Sequence, residues 1–267
     1  MKNDKQIWDD IWKEIKANIS EDKLMVRREI SSIRWQKIEK RVIDKYRSFN
    51  GLDVIEIGAG RGENALLMSL RGASVTLLDY SEIALEEAKL LFSNFGCTAH
   101  FIKADALNIP PNLLNKFDVS MSFGLAEHFT YPQRQQIINS HYILLKQGGL
   151  SFISVPNAFC FPYRLAQMAL RLFHKFQLLE IPFTRSELRK IAHSIGYQPY
   201  EIVGSSFFTA IDEFLIRNAI HSVAKRIGIK SSLKRSDNIK EEKETIFDDY
   251  LGYSLILIGY KLSSSWK

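Results

Sequence analysis

The sequence predicts a doubly wound α/β fold, an open and mostly parallel sheet with helices on both faces, and three observations carry that prediction. Short β-favouring apolar runs alternate with helical patterns along residues 51–157, the arrangement that builds parallel βαβ units. The first run, Val54, Ile55 and Ile57 around Glu56, breaks at once into Gly58, Gly60 and Gly62. A buried strand therefore feeds a turn in which positive φ is free and no Cβ separates backbone from ligand. Finally, 267 residues at 46% hydrophobic and 25% charged suffice for one large core with additions.

The elements follow in order. Ile7, Trp8, Ile11, Trp12 and Ile15 recur at helical steps, and a second pattern runs from Ile30 through Ile38 and Val42 to Tyr46, so residues 1–50 read as N-terminal helices. The first strand ends at the glycine turn. Residues 74–79, SVTLLD, form a second strand closed by Asp79, and Ser81 is placed to cap the helix EIALEEAKLLF. A third strand leads into Asp105, a fourth spans FDVSMSF, and LLKQGGLSFISVPN turns through two glycines into a fifth. Residues 158–185 are an apolar-rich insertion. Thr184 or Ser186 then caps a helix over Glu187 to Ile195 that Gly196 ends, and residues 199–208 and 253–260 complete a seven-stranded sheet.

The glycine turn separates several ligand classes. A dinucleotide fingerprint needs its third glycine three residues after the second, where this chain has Glu63, and a phosphate-cradling P-loop needs a Gly-Lys-Ser/Thr ending that is absent. Glu56, two residues before the first glycine, would repel a pyrophosphate and suits a cation. Asp79, at a strand tip about twenty residues on, is placed to accept both hydroxyls of a ribose.

In this order the motifs resemble those of class I S-adenosylmethionine-dependent methyltransferases that act on small molecules. The resemblance implies S-adenosyl-L-methionine as cofactor and a reversed last strand, residues 253–260. It implies that Glu56, Gly58, Ala59, Gly60 and Gly62 receive the methionine part, Asp79 the ribose, and Tyr80, Asp105 and Ala106 the adenine, with Phe123 and Gly124 lining the transfer face. Asp105 also suits a simple turn cap. The N-terminal helices of residues 1–50 would form a lid, with Trp8 and Trp12 over the cofactor or packed on the sheet. The domain proper would span 51–267, with helical insertions at about 158–185 and 209–250.

Methyl transfer requires alignment and, for a hydroxyl acceptor, removal of a proton. His128, paired with Glu127 after the fourth strand, supplies a side chain whose ordinary pKa lies near neutrality. The pair resembles that of quinone-biosynthesis O-methyltransferases. Their additional metal-binding glutamate, three residues before the acidic member, is Gly124 here, so no metal is expected. The Asn/Asp-Pro-Pro-aromatic motif of nucleobase N-methylation is replaced by SFGLAEHF. Cys160 lacks the Pro-Cys or Thr-Cys context of a cytosine-methylating nucleophile and reads as packing. The expected activity is methylation of a small-molecule acceptor, O-methylation ahead of N- or C-methylation, with a non-catalytic cofactor-binding regulator as the alternative.

Charge adds little to that assignment. The net charge of +6 arises from mixed helical surfaces and a basic stretch in residues 215–240 followed by acidic residues, without the sustained basic face of a nucleic-acid binder. No apolar run reaches the roughly 20 residues of a spanning helix, the N-terminus has no secretory pattern, and two cysteines make no disulfide framework; the cytoplasm is expected. Residues 159–176 and 211–227 are apolar with interleaved Arg, Lys and His. They read as lids packed on the core that shelter a bulky, partly apolar acceptor, or as a peripheral membrane contact.

Overall fold

Seven strands form one sheet in the order β3-β2-β1-β4-β5-β7-β6, in a computed structural model that describes residues 4–14, 19–172, 179–217 and 241–262. The strands are β1 (Asp53–Ile57), β2 (Ser74–Asp79), β3 (His100–Lys103), β4 (Phe117–Phe123), β5 (Leu145–Pro156), β6 (Tyr197–Ser205) and β7 (Ser254–Lys261). β1 to β5 pair in parallel, and β7 runs antiparallel between β5 and β6. The reversed last strand follows the sequence expectation. The sixth strand ends at Ser205, three residues earlier than predicted, because Ser206 turns into the left-handed region at φ 67° and starts a helix.

Alternation along the strands divides the core into two layers. Val54, Val75, Leu77, Val119 and Met121 face α3 (Ile33–Tyr46), α4 (Glu63–Ser69) and α5 (Glu82–Asn94). Ile55, Ile57, Leu78, Ile153 and Val155 face the other way, towards α6 (Gln133–Leu144) and α8 (Arg185–Ile195). Local signals set the helix ends. The Ser81 hydroxyl accepts from Ala84 N–H at 3.3 Å, the Thr184 hydroxyl from Glu187 N–H at 3.1 Å, and Gly196 closes α8 at φ 99°.

The N-terminal region departs from the expected pattern. The segment from Ile30 to Tyr46 is not one helix: α2 (Ile19–Ile30) stops, Ser32 caps α3 through Trp35 N–H, and Ile30 is exposed at the end of α2. Trp35, Ile38 and Val42 of α3 are fully buried in the first core layer. Of residues 1–50, α3 is thus core, and α1 (Asp4–Glu14) is the part that lies across the strand ends.

After β5 come α7 (Phe161–Leu172) and α8. After β6, α9 (Phe207–Ala210) continues into a wider π-helical turn, Ile211–Arg217, that packs on α7. α10 (Ile246–Leu251), held by a Thr245–Asp248 capping box, leads into β7. The expected helix at 211–227 is described only as far as Arg217; its remainder lies outside the described residues.

Candidate active site

The sheet order reverses between β1 and β4, which opens a crevice beyond their carboxyl ends. Gly58, Gly60 and Gly62 line it at φ 59°, 53° and 71°. At Gly62 a Cβ would stand 2.1 Å from Leu77 Cδ2, and at Gly60 2.6 Å from the Trp12 ring, so both conformation and space demand glycine. Glu56, 3% exposed, accepts Ala65 N–H at 2.8 Å and so ties β1 to the first turn of α4. Burial, reinforced by Glu63, holds its carboxyl well above the usual range, against the pull of that N–H and of Arg34. A carboxyl so placed gains by meeting a cation.

Asp79 meets the glycine loop directly. Its Oδ2 accepts Gly60 N–H and its Oδ1 accepts Ser81 N–H, each at 2.9 Å, and burial raises its pKa against those N–H bonds. Tyr80 follows at the half-buried strand tip. Asp105 is exposed and its two oxygens take Leu107 N–H at 2.9 Å and Asn108 Nδ2 at 3.3 Å. The turn-cap reading of Asp105 is therefore realised, whatever else it binds. Ala106 is buried, and its carbonyl is held by the Ser140 hydroxyl at 2.7 Å.

Beyond β4, Gly124 turns at φ 80° with its N–H on Ser154 O, 3.1 Å away. Leu125 folds back over Gly58, where a Cβ would meet its Cδ1 at 2.6 Å. Glu127 is 2% exposed; its Oε1 lies 3.3 Å from the position of a Cβ on Gly124, and its Oε2 has no hydrogen-bond partner. Burial pushes this carboxyl up to about 8, so at neutral pH Glu127 largely carries its proton. His128 Nδ1 lies 2.7 Å from Leu179 O. A carbonyl only accepts, so Nδ1 bears the hydrogen, and in the neutral ring the lone pair is on Nε2.

Helix α1 crosses these groups. Trp12 lies on Gly60, Asp9 accepts the Ser81 hydroxyl at 2.5 Å, and Trp8 meets His128 edge to face with ring centres 5.0 Å apart. Two cations that the sequence reading passed over also converge here. Arg34 of α3 lies 5.1 Å from the centre of the Phe123 ring and is held by Glu29 through Nε at 2.9 Å and Nη2 at 2.7 Å. Arg61, inside the glycine loop, pairs with buried Asp22 of α2 at 2.6 Å. Nothing in helical periodicity distinguishes these arginines from surface ones; the motif position of Arg61 was the one available signal. Cys160 is fully buried with its thiol pushed up to about 11 by burial, which leaves it a thiol at neutral pH and suits packing.

Comparison with known proteins agrees with this geometry. Residues 54–149 match the family described as "Methyltransferase domain". Ubiquinone biosynthesis O-methyltransferase of Pseudomonas putida (strain GB-1) is 30% identical over 173 residues, 62% of this chain and 72% of that protein. The protein of that name from Dechloromonas aromatica (strain RCB) is 29% identical over 170 residues, with 62% and 72% covered. Among solved structures, magnesium protoporphyrin IX methyltransferase from Synechocystis PCC 6803 with bound SAH superposes with a TM-score of 0.57 at 15% identity, over 95% of this chain and 92% of that one. A glycine-lined crevice at the β1–β4 switch point, the motifs in order and these relatives lead to one assignment: the chain belongs to the class I S-adenosylmethionine-dependent methyltransferases, enzymes that use S-adenosylmethionine as cofactor.

Proposed function

We propose that this methyltransferase acts on the hydroxyl of a bulky, partly apolar small molecule, with His128 as the base. The observation that carries the proposal is the tautomer of His128, whose Nδ1 is committed to Leu179 O and whose Nε2 is left to accept a proton. The names of the relatives, O-methyltransferases, point to the same atom type.

The residues present fit the cofactor. Glu56 and Arg34 place a carboxyl and a guanidinium close enough to couple electrostatically, the complement of a zwitterionic amino-acid moiety, and Gly58, Ala59, Gly60 and Gly62 let it approach the backbone. Asp79 would hold the ribose hydroxyls, while Tyr80, Asp105 and Ala106 border the adenine. Phe123 and Gly124 form the wall along which transfer occurs. When bound, the cofactor supplies a methyl group on a positively charged sulfur. His128 Nε2 would take the proton of an acceptor hydroxyl aligned with that methyl group. Glu127 remains protonated beside it, so no second negative charge competes with the developing oxyanion. Trp8 and Trp12 of α1 form a lid that excludes water. Tyr163, Phe214 and Tyr253, whose rings meet at centre distances of 5.3–5.6 Å, offer an aromatic wall to the acceptor, and the two free thiols suit the cytoplasm.

The test is S-adenosylhomocysteine formation against matched hydroxyl- and amine-bearing aromatic acceptors. Hydroxyl acceptors are expected to turn over, and His128→Ala to lower that rate by about 10²-fold with cofactor affinity unchanged. Transfer to amines alone, or a rate indifferent to the substitution, would contradict the proposal.

A further inference from the structure

His128 stands in the short turn Ala126–His128, and the strap of residues 179–183 that leads into α8 passes across it. Three hydrogen bonds hold the two together. Leu179 O accepts from His128 Nδ1 at 2.7 Å, Ile181 N–H donates to Glu127 O at 2.8 Å, and Ile181 O accepts from Arg134 Nη2 at 3.0 Å. Arg134 lies in the first turn of α6, on the run of chain that leaves His128. One continuous segment therefore carries both the imidazole and the guanidinium that grips the strap.

The Arg134 side chain is fixed on three sides. Arg134 is 5% exposed, its guanidinium lies 3.4 Å from the centre of the Phe183 ring, Nη1 pairs with Glu187 of α8 at 3.1 Å, and Nη2 holds the strap. Phe183 is itself paired with the chain after β5, its N–H on Pro156 O and its carbonyl on Ala158 N–H, each at 2.8 Å. A planar fork stacked on a ring directs its N–H groups in a way that a flexible ammonium cannot. A buried guanidinium whose Nε has no partner is a poor device for stability, yet its two forked bonds reach the elements that frame the base. We propose that Arg134 is a positioning residue: by holding Ile181 it aims the Leu179 carbonyl at Nδ1 and so fixes His128 as the Nδ1–H tautomer. Leu179 is 42% exposed, so its carbonyl is oriented through its neighbours rather than by burial. Gln167 Nε2 holds Glu180 O at 3.1 Å from the side of α7, and Arg134 holds Ile181 O from the side of α6. The second hold keeps carbonyl and ring in one frame, and the bond that Nδ1 makes decides which ring nitrogen is protonated.

The value of this tautomer in transfer rests on the proposed function; the tautomer itself does not. It is read on the full chain labelled with 15N-histidine, without cofactor or acceptor and with the ring neutral, from the ring-nitrogen shifts of the resonances that His128→Ala removes. In the wild-type chain the Nδ1–H form is expected to exceed the other by about tenfold, the worth of one hydrogen bond. Arg134→Lys keeps the charge but loses the fork. It is expected to lower that ratio at least about fivefold and kcat about tenfold, with S-adenosylmethionine affinity in calorimetric titration changed less than about twofold. Arg134→Met still packs on Phe183, buries no charge and removes both forked bonds, so it is expected to give the same tautomer shift if the lysine variant misfolds. A dominant Nε2–H ring in the wild-type chain overturns the proposal, as does a wild-type tautomer ratio in either folded variant. A rate indifferent to His128→Ala, with the tautomer shift present in the Arg134 variants, would contradict the proposed function and leave this inference standing.

Discussion

Asp79 shows how much one strand-tip carboxylate does. It accepts N–H groups from the glycine loop and from the start of α5, so it shapes the crevice as well as facing it. A carboxylate that also accepts two ribose hydroxyls contributes roughly 1.5–3 kcal/mol. Asp79→Ala is expected to weaken S-adenosylmethionine about tenfold or more in calorimetric titration; Asp79→Asn, whose single acceptor oxygen can keep one of the two N–H bonds, is expected to lose less. An unchanged affinity in the folded alanine variant would remove Asp79 from the ribose site. His128 and Glu127, adjacent in sequence, differ through their surroundings. The histidine has a carbonyl partner that fixes its tautomer, whereas the glutamate is buried with one oxygen unpartnered and keeps its proton.

Among the elements, α2 is joined to the glycine loop by a buried ion pair. Arg61 reaches from the loop to Asp22, whose side chain is 2% exposed, and Asn94 Nδ2 approaches the other Asp22 oxygen at 3.4 Å. Removing the negative partner strands a buried guanidinium, which costs more than the pair itself is worth. Asp22→Asn is expected to lower stability by about 3 kcal/mol, a melting shift of roughly 6–12 °C, and to weaken cofactor binding because the loop loses its anchor. A melting temperature within two degrees of wild type, by differential scanning calorimetry, would make the pair dispensable. α3 is held differently. Trp35 is fully buried, stacks on Phe49 and carries the Arg71 guanidinium 4.8 Å above its ring, so this helix belongs to the core.

For the whole molecule, buried titratable groups set the response to pH. His141 is fully buried and its imidazole is pushed down to about 3 by desolvation. Glu127 is pushed up to about 8, and Glu56 well above its ordinary value, by the same cause. Each signs differently. As pH falls from about 6.5 to 3, the unfolded state gains a proton that folded His141 refuses, so stability drops. As pH rises above the ordinary carboxyl range, the unfolded state releases protons that folded Glu127 retains up to about 8 and that folded Glu56 also holds, so stability also drops. Glu63 and Asp79 are raised by burial as well, and four acids against one histidine make the rise the stronger effect at neutral pH. The melting temperature of the cofactor-free protein is therefore expected to be lower at pH 8 than at pH 5.5, and Glu127→Gln to reduce that difference by about 4 °C or more. A difference unaltered in the variant, by differential scanning calorimetry, would show that Glu127 ionises freely in the folded state.

The sequence by itself determined the features that depend on local chemistry. Glycines at 58, 60 and 62 imply positive φ, and Ser81 and Thr184 are caps because a hydroxyl before a helical run satisfies an otherwise unpaired N–H. Alternating Val, Leu and Ile in β1 to β5 imply a sheet buried on both faces, and with those strands the crevice at their carboxyl ends was legible. The tertiary structure decided what arrives there from a distance. Arg34 reaches Phe123 from a helix that periodicity describes only as amphipathic, and Trp12 covers Gly60 because α1 crosses the strand ends. Helical spacing also groups Phe161, Leu165, Met168 and Leu172 on one face of α7, but it does not say where that face points. Bonds from Gln167 to Tyr163 and Glu180 turn the polar edge inward and leave the apolar stripe outside, because a buried amide must be satisfied whereas an exposed apolar side chain is tolerated.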